Sequence, residues 1–243
     1  MKKLFILFCL LPVLFNSHLS FAQTKIDPVE ITSTVPELTD FHKIIYPMWH
    51  DAYPAKDYDA LKGFTPQIKE SVESINKAKL PGILRDKETQ WKNLLNELNV
   101  SAKNYNAAVV SGDNEAILTA AERLHSVYER MNRAIRPAIK EIDDYHQTLY
   151  IIYHKHYPDR KFDEIARLTS ILVEKAEVIK TYPKDKLKKR LGENINKFDI
   201  SAEKLYNATI ILKDAVNIDD PEKKKEAVES VHKAYQDLDA VFH

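Results

Sequence analysis

The stretch FHKIIYPMWHDAYPAKDYD, residues 41–59, is written twice in this chain: YHQTLYIIYHKHYPDRKFD, residues 145–163, repeats it 104 positions later. His42, Tyr46, His50, Tyr53, Pro54 and Asp59 recur as His146, Tyr150, His154, Tyr157, Pro158 and Asp163, while Trp49 becomes Tyr153 and Lys56 becomes Arg160. Apolar and aromatic residues three and four apart make each copy an amphipathic helix. The Tyr-Pro pair ends it, because the residue before a proline is pushed out of the α region.

Outward from these copies the chain keeps the same rhythm. The only glycines are Gly63, Gly82, Gly112 and Gly192, and charged-apolar periodic segments fill the space between Pro and Gly punctuation, with no hairpin signal. Helices are expected over 36–53, 57–79, 84–110 and 114–135, then again over 138–157, 162–182, 186–213 and from 221 onward. The expected core stripe of the first is Leu38, His42, Ile45, Trp49 and Tyr53, and Thr65-Pro66 is expected to bend the second. In the third, Leu98-Asn99-Val100-Ser101-Ala102 matches Phe198-Asp199-Ile200-Ser201-Ala202; in the fourth, Glu122, His125 and Tyr128 match Glu229, His232 and Tyr235. A period near 104 residues is too long for a solenoid unit and suits a whole bundle. The expected fold is all-α, two tandem, duplicated antiparallel four-helix bundles over 36–136 and 137–243.

Ahead of them, residues 1–22 carry Lys2 and Lys3, an apolar run broken by Pro12, and a Ser-Phe-Ala ending, the pattern of a signal peptide. A polar leader, 23–35, follows. The expected location is periplasmic or secreted, with no membrane span in the remainder. Cys9, the single cysteine, lies in the removed segment, so the mature chain has no thiolate ligand, no cysteine nucleophile and no disulfide. The 36 basic and 36 acidic residues balance along the chain, which argues against nucleic acid. A phosphate-cradling glycine loop, a Gly-x-Ser-x-Gly elbow and His-Glu-x-x-His are all missing, so no enzyme activity is expected.

The candidate site residues are the three histidine pairs kept by both copies: His42 with His146, His50 with His154, and His125 with His232. On a straight helix His50 lies about 80 degrees around and about 12 Å along from His42, so the two cannot share an ion unaided. The antiparallel fourth helix would set His125 level with the midpoint between them: wound one way, the bundle brings His50 and His125 to one ion, with His42 reaching from the core and Tyr46 or Tyr53 beside them, and wound the other way His42 and His125 are the pair. An imidazole-rich, thiolate-free set suits Zn(II), Cu(II), Ni(II) or iron. A Met-based copper site does not fit, because Met48 and Met131 become Ile152 and Leu238. The leading expectation is a transition-metal-binding bundle protein for metal handling or sensing. The alternative is an envelope protein-interaction or structural module that uses its histidines for packing.

Glu122 to His125 and Glu229 to His232 read Glu-x-x-His, the spacing of ligand helices in di-iron carboxylate bundles, although each bundle here has one such motif where those have two. The architecture also resembles the periplasmic cytochrome b562 and cytochrome c′ four-helix bundles, in which the first and fourth helices face a haem. That resemblance implies haem b with axial histidines and electron transfer as a third reading. Here Cys-x-x-Cys-His is absent, and His125 lies mid-helix where those families place the ligand near a helix end.

Overall fold

The computed structural model describes residues 26–242, and every regular element in that range is helical. The expected signal peptide and the first leader residues, 23–25, lie outside the described residues, as does His243. A 3-10 turn, Pro28–Ile31, capped by the Asp27 carboxylate, precedes α1, Pro36–Pro47. α1 runs without a break into a π turn, Met48–Ala52. The expected second helix is split at Phe64 into α2, Tyr58–Gly63, and α3, Thr65–Lys77, because proline in the first turn of α3 has no N–H to continue the ladder. A 3-10 segment, Gly82–Lys87, leads to α4, Glu88–Ser111, which turns at Gly112 (φ 73) into α5, Asn114–Ile135.

The second half repeats the course. α6, Lys140–Ile151, passes into a π turn, Ile152–His156, followed by α7, Phe162–Lys180. The long helix expected from residue 186 is instead broken in two, α8, Lys184–Leu191, and α9, Ile195–Ala215. The cause is Gly192, whose φ of 53 and ψ of −120 lie outside what a side chain tolerates. α10, Pro221–Asp239, starts with the Asp220 carboxylate on the Lys223 N–H and proline in its first turn, as its sequence predicts.

Two sets of buried residues follow the two halves. One comprises residues between Val35 and Ile135, the other residues between Ala138 and Leu238. α1 packs on α3, α3 on α4 and α4 along α5; in the same order α6 packs on α7, α7 on α9 and α9 along α10. The halves do not share residues evenly. Tyr150, from the second half, packs into the first half's core and is 1% exposed.

The expected stripe of α1 needs correction. Leu38, Phe41, Ile45, Met48 and Ala52 are buried, while His42 and His50 are exposed and Trp49 and Tyr53 sit at the boundary. Phe41 and Met48 are one position ahead of His42 and Trp49, so both registers have helical spacing. The core takes the fully apolar one, since a buried imidazole must find partners for its nitrogens.

The leader is held down as well. Ser33 donates to Asp143 at 2.6 Å, and Glu30 accepts from Tyr150 at 2.8 Å and from Lys155 at 3.3 Å. Gly82 faces the same spot: a Cβ there would run into the Tyr150 hydroxyl and the Glu30 carboxylate. Gly82→Ala is therefore expected to lower stability by about 1–3 kcal/mol, the usual cost of overpacking. Thermal denaturation followed by circular dichroism measures it, and an unchanged melting temperature would refute the close approach.

Candidate functional site

The repeated stretch forms a row of rings along one edge of each half. The row starts in α1 and runs on into the π turn. In both copies an i→i+5 bond closes it, from the Tyr53 N–H to the Met48 carbonyl at 2.9 Å and from the Tyr157 N–H to the Ile152 carbonyl at 2.8 Å. His42, Tyr46 and His50 follow one another at four-residue spacing, which sets each ring beside the next, and the wider turn reduces the drift of His50 away from the other two. His42 and Tyr46 have ring centroids 5.6 Å apart, and Tyr46 and His50 4.5 Å; Tyr150 and His154 repeat the latter contact at 4.9 Å. Each stretch then leaves its turn through a residue with positive φ, Lys56 (52) and Arg160 (53).

The last helix of each half supplies the facing rings. His125 lies flat on Trp49, 4.1 Å apart and 5° from parallel, and His232 lies on Tyr153 at 3.8 Å and 6°. His42 accepts or donates at 2.9 Å with the Tyr128 hydroxyl and stacks on its ring, and His146 stacks on Tyr235 at 4.2 Å. The sequence therefore names the right partners, fourth helix against repeated stretch. Their meeting is by aromatic faces rather than by converging nitrogens.

Charge distinguishes the two copies. In the second half Arg85, from the first half's 3-10 segment, reaches across to donate to the Tyr150 hydroxyl at 2.7 Å and lies over the Tyr150 ring, with its other nitrogen 3.2 Å from His154 Nδ1. A guanidinium only donates, so Nδ1 is the accepting nitrogen and the proton of neutral His154 is on Nε2. Burial, and next the Arg85 charge, push His154 down to about 4. His146 is also pushed down to about 4, by burial against the pull of Asp239 and Asp86 and with His154 and His232 adding to the effect. The three candidate histidines of this half thus share one electrostatic neighbourhood. Beside them a cavity of about 310 Å3 opens between the halves, its walls including Asp86, Asp143, His146 and Tyr235.

His232 Nε2 is buried without a hydrogen-bond partner, 3.8 Å from the Asp86 carboxylate. Burial lowers its basicity, opposed by Asp86. His125 has a similar neighbour, Glu129, 3.9 Å from its Nε2, and burial likewise lowers its basicity. Sequence reasoning missed Arg85, Asp86 and Glu30, because they come from the first half and the leader, outside the second copy on which they act, and nothing in their spacing marks them. Among the described residues no three of His, Cys, Asp and Glu converge closely enough to hold one ion. Glu122 is exposed, in keeping with its place on the outer side of α5.

The first half's row is uncovered. Tyr46 is 52% exposed, where its counterpart Tyr150 is 1% exposed, and among the described residues its hydroxyl makes no hydrogen bond. No protein-family model matches this chain, and neither a curated protein nor a solved structure matches it.

A histidine whose basicity is depressed in the folded state favours the fold above its unfolded pKa of about 6.5 and progressively less as pH falls toward the folded value. The melting temperature is accordingly expected to hold near neutral pH and drop from about pH 6.5 downward, with carboxylates held low by their partners, such as Glu30 and Glu97, continuing the fall at lower pH. His146→Phe keeps the stack on Tyr235 and removes the proton. Its melting temperature should depend on pH less steeply over that window, and an equal slope would refute the burial of His146.

Proposed function

We propose that this is an exported, duplicated protein of two antiparallel four-helix bundles, 36–136 and 137–243, that works by recognising another protein through its histidine-aromatic rows and catalyses no reaction. One observation carries the reading: the second row is covered by the Arg85 guanidinium and Gly82 backbone of the first half and by the Glu30 carboxylate of the leader, whereas the equivalent first row, His42, Tyr46 and His50, faces solvent. Tyrosine flanked by planar polar rings offers a rigid apolar area with hydrogen-bonding edges, the composition of energetic centres in protein interfaces. Removing two bound side chains from such a place leaves a surface shaped for their like.

A transition metal is the second reading, favoured by the carboxylates set 3.8 and 3.9 Å from the fourth-helix histidines and by the orphaned His232 nitrogen. An imidazole and carboxylate set suits Zn(II), Cu(II), Ni(II) or iron. His50 or His154 would complete it once their side chains turn. Haem fits less well. The rings of His125 and Trp49 are in face-to-face contact, as are His232 and Tyr153, so the slot a porphyrin plane needs is filled by protein.

The test places a photo-reactive benzoyl-phenylalanine at Tyr46, and separately at exposed Val110 away from the row, in cells expressing the full chain. Irradiation is expected to give a discrete protein adduct from position 46 and none from 110. Adducts from both or neither would defeat recognition through the row. For the metal reading, the purified chain is melted with excess Zn(II), Cu(II) or Ni(II). A rise in melting temperature that vanishes in His50→Ala/His154→Ala supports metal binding, and no rise with any ion removes it.

A further inference from the structure

The contact between the halves is heterologous: the connector between the second and third long helices of one half, residues 82–87, sits on the ring row of the next. A heterologous contact that does not close leaves one copy of each surface unused at the two ends. Here the unused row is that of the first half. The unused connector is that of the second half, α8, which occupies the same place between α7 and α9 that residues 82–87 occupy between α3 and α4.

We propose that the partner of the first row is a second copy of this chain, which docks its α8 there and extends the internal contact from one molecule to the next. This rests on the recognition reading above and names its partner. α8 is suited to the task by charge. It exposes Lys186, Lys188 and Lys189, while Arg190 is held within the chain on the Ala138 carbonyl and over the Phe242 ring and Leu187 and Leu191 turn inward to hold the helix in place. The internal contact uses a cation over a tyrosine, Arg85 on Tyr150, and Lys155 lies 5.7 Å from the same ring. Tyr46, 52% exposed between the rings of His42 and His50, presents the equivalent ring, and Asp51, next to His50 in the chain, is exposed as well. Cations from α8 thus meet the partners that Arg85 meets within the chain.

The geometry has a consequence for assembly. The contact joins unlike surfaces, so each docked molecule again carries one free row and one free α8, and the product is a ring or an open filament rather than a two-fold dimer. Contacts through exposed cations weaken with salt, because screening shortens their reach to about 8 Å at physiological ionic strength.

The full mature chain is examined by analytical ultracentrifugation over rising concentration, at low and high salt, and by cross-linking from benzoyl-phenylalanine at Tyr46 with the adduct mapped by mass spectrometry. Self-association is expected, with adducts at residues in α8. It should weaken about tenfold on Tyr46→Ala and similarly on Lys188→Glu/Lys189→Glu, a surface pair whose reversal spares the core. Mixing these two variants should not restore assembly beyond one contact per pair, since each retains one working surface: row-defective and α8-defective molecules form a capped dimer. A monomer at every concentration whose cellular adduct is a different protein overturns the inference and leaves recognition standing. A monomer with no adduct in cells overturns both, and adducts outside α8 overturn the inference alone.

Discussion

Arg85 is the side chain on which the relation between the halves depends. Its guanidinium gives hydrogen bonds to Tyr150 and His154 while lying over the Tyr150 ring, and Glu30 accepts from the same hydroxyl from the other side. A cation placed against an imidazole is tolerable only if the imidazole stays neutral. Burial and the cation act in the same direction on His154, so the requirement is met by the contact itself. Tyr150 pays for its burial in the other half's core with two polar partners, which leaves no orphaned hydroxyl. The close approach at Gly82 follows from the same arrangement, because the backbone must pass within reach of the phenol that Arg85 and Glu30 hold.

Much of the fold was legible because helix signals were dense. Asp113 and Asp220 as caps, Pro221 in a first turn and Gly112 after a last turn mark helix ends by local chemistry, and the structure agrees with each. Stripes of α4 and α5, such as Trp91, Leu94 and Leu98 or Ile117, Ala121 and Leu124, leave one register only. α1 offered two, since Phe41 next to His42 and Met48 next to Trp49 give parallel stripes, and periodicity cannot choose between neighbours. The break at Gly192 was missed for another reason: a glycine in a charged helical pattern is tolerated as often as it ends a helix, and only its φ decides.

The site was legible in its membership and not in its geometry. Retained histidines pointed to the repeated stretch and the fourth helix, and those elements do meet. The π turn was invisible, because an i→i+5 bond has no residue signature, whereas the row of His42, Tyr46 and His50 follows from their four-residue spacing. Arg85, Asp86 and Glu30 were invisible for a topological reason. They act on the half to which they do not belong, and a repeat compared with itself says nothing of what lies between its copies.

That asymmetry also sorts the two readings of the histidines. A lone pair that His154 Nδ1 gives to Arg85 cannot at the same time be given to an ion, so in the second half metal binding and the contact between halves compete for one nitrogen. In the first half nothing competes: among the described residues His50 has ring contact with Tyr46 and no hydrogen bond. A metal would therefore enter the first row before the second, and would do so on the surface that recognition also needs.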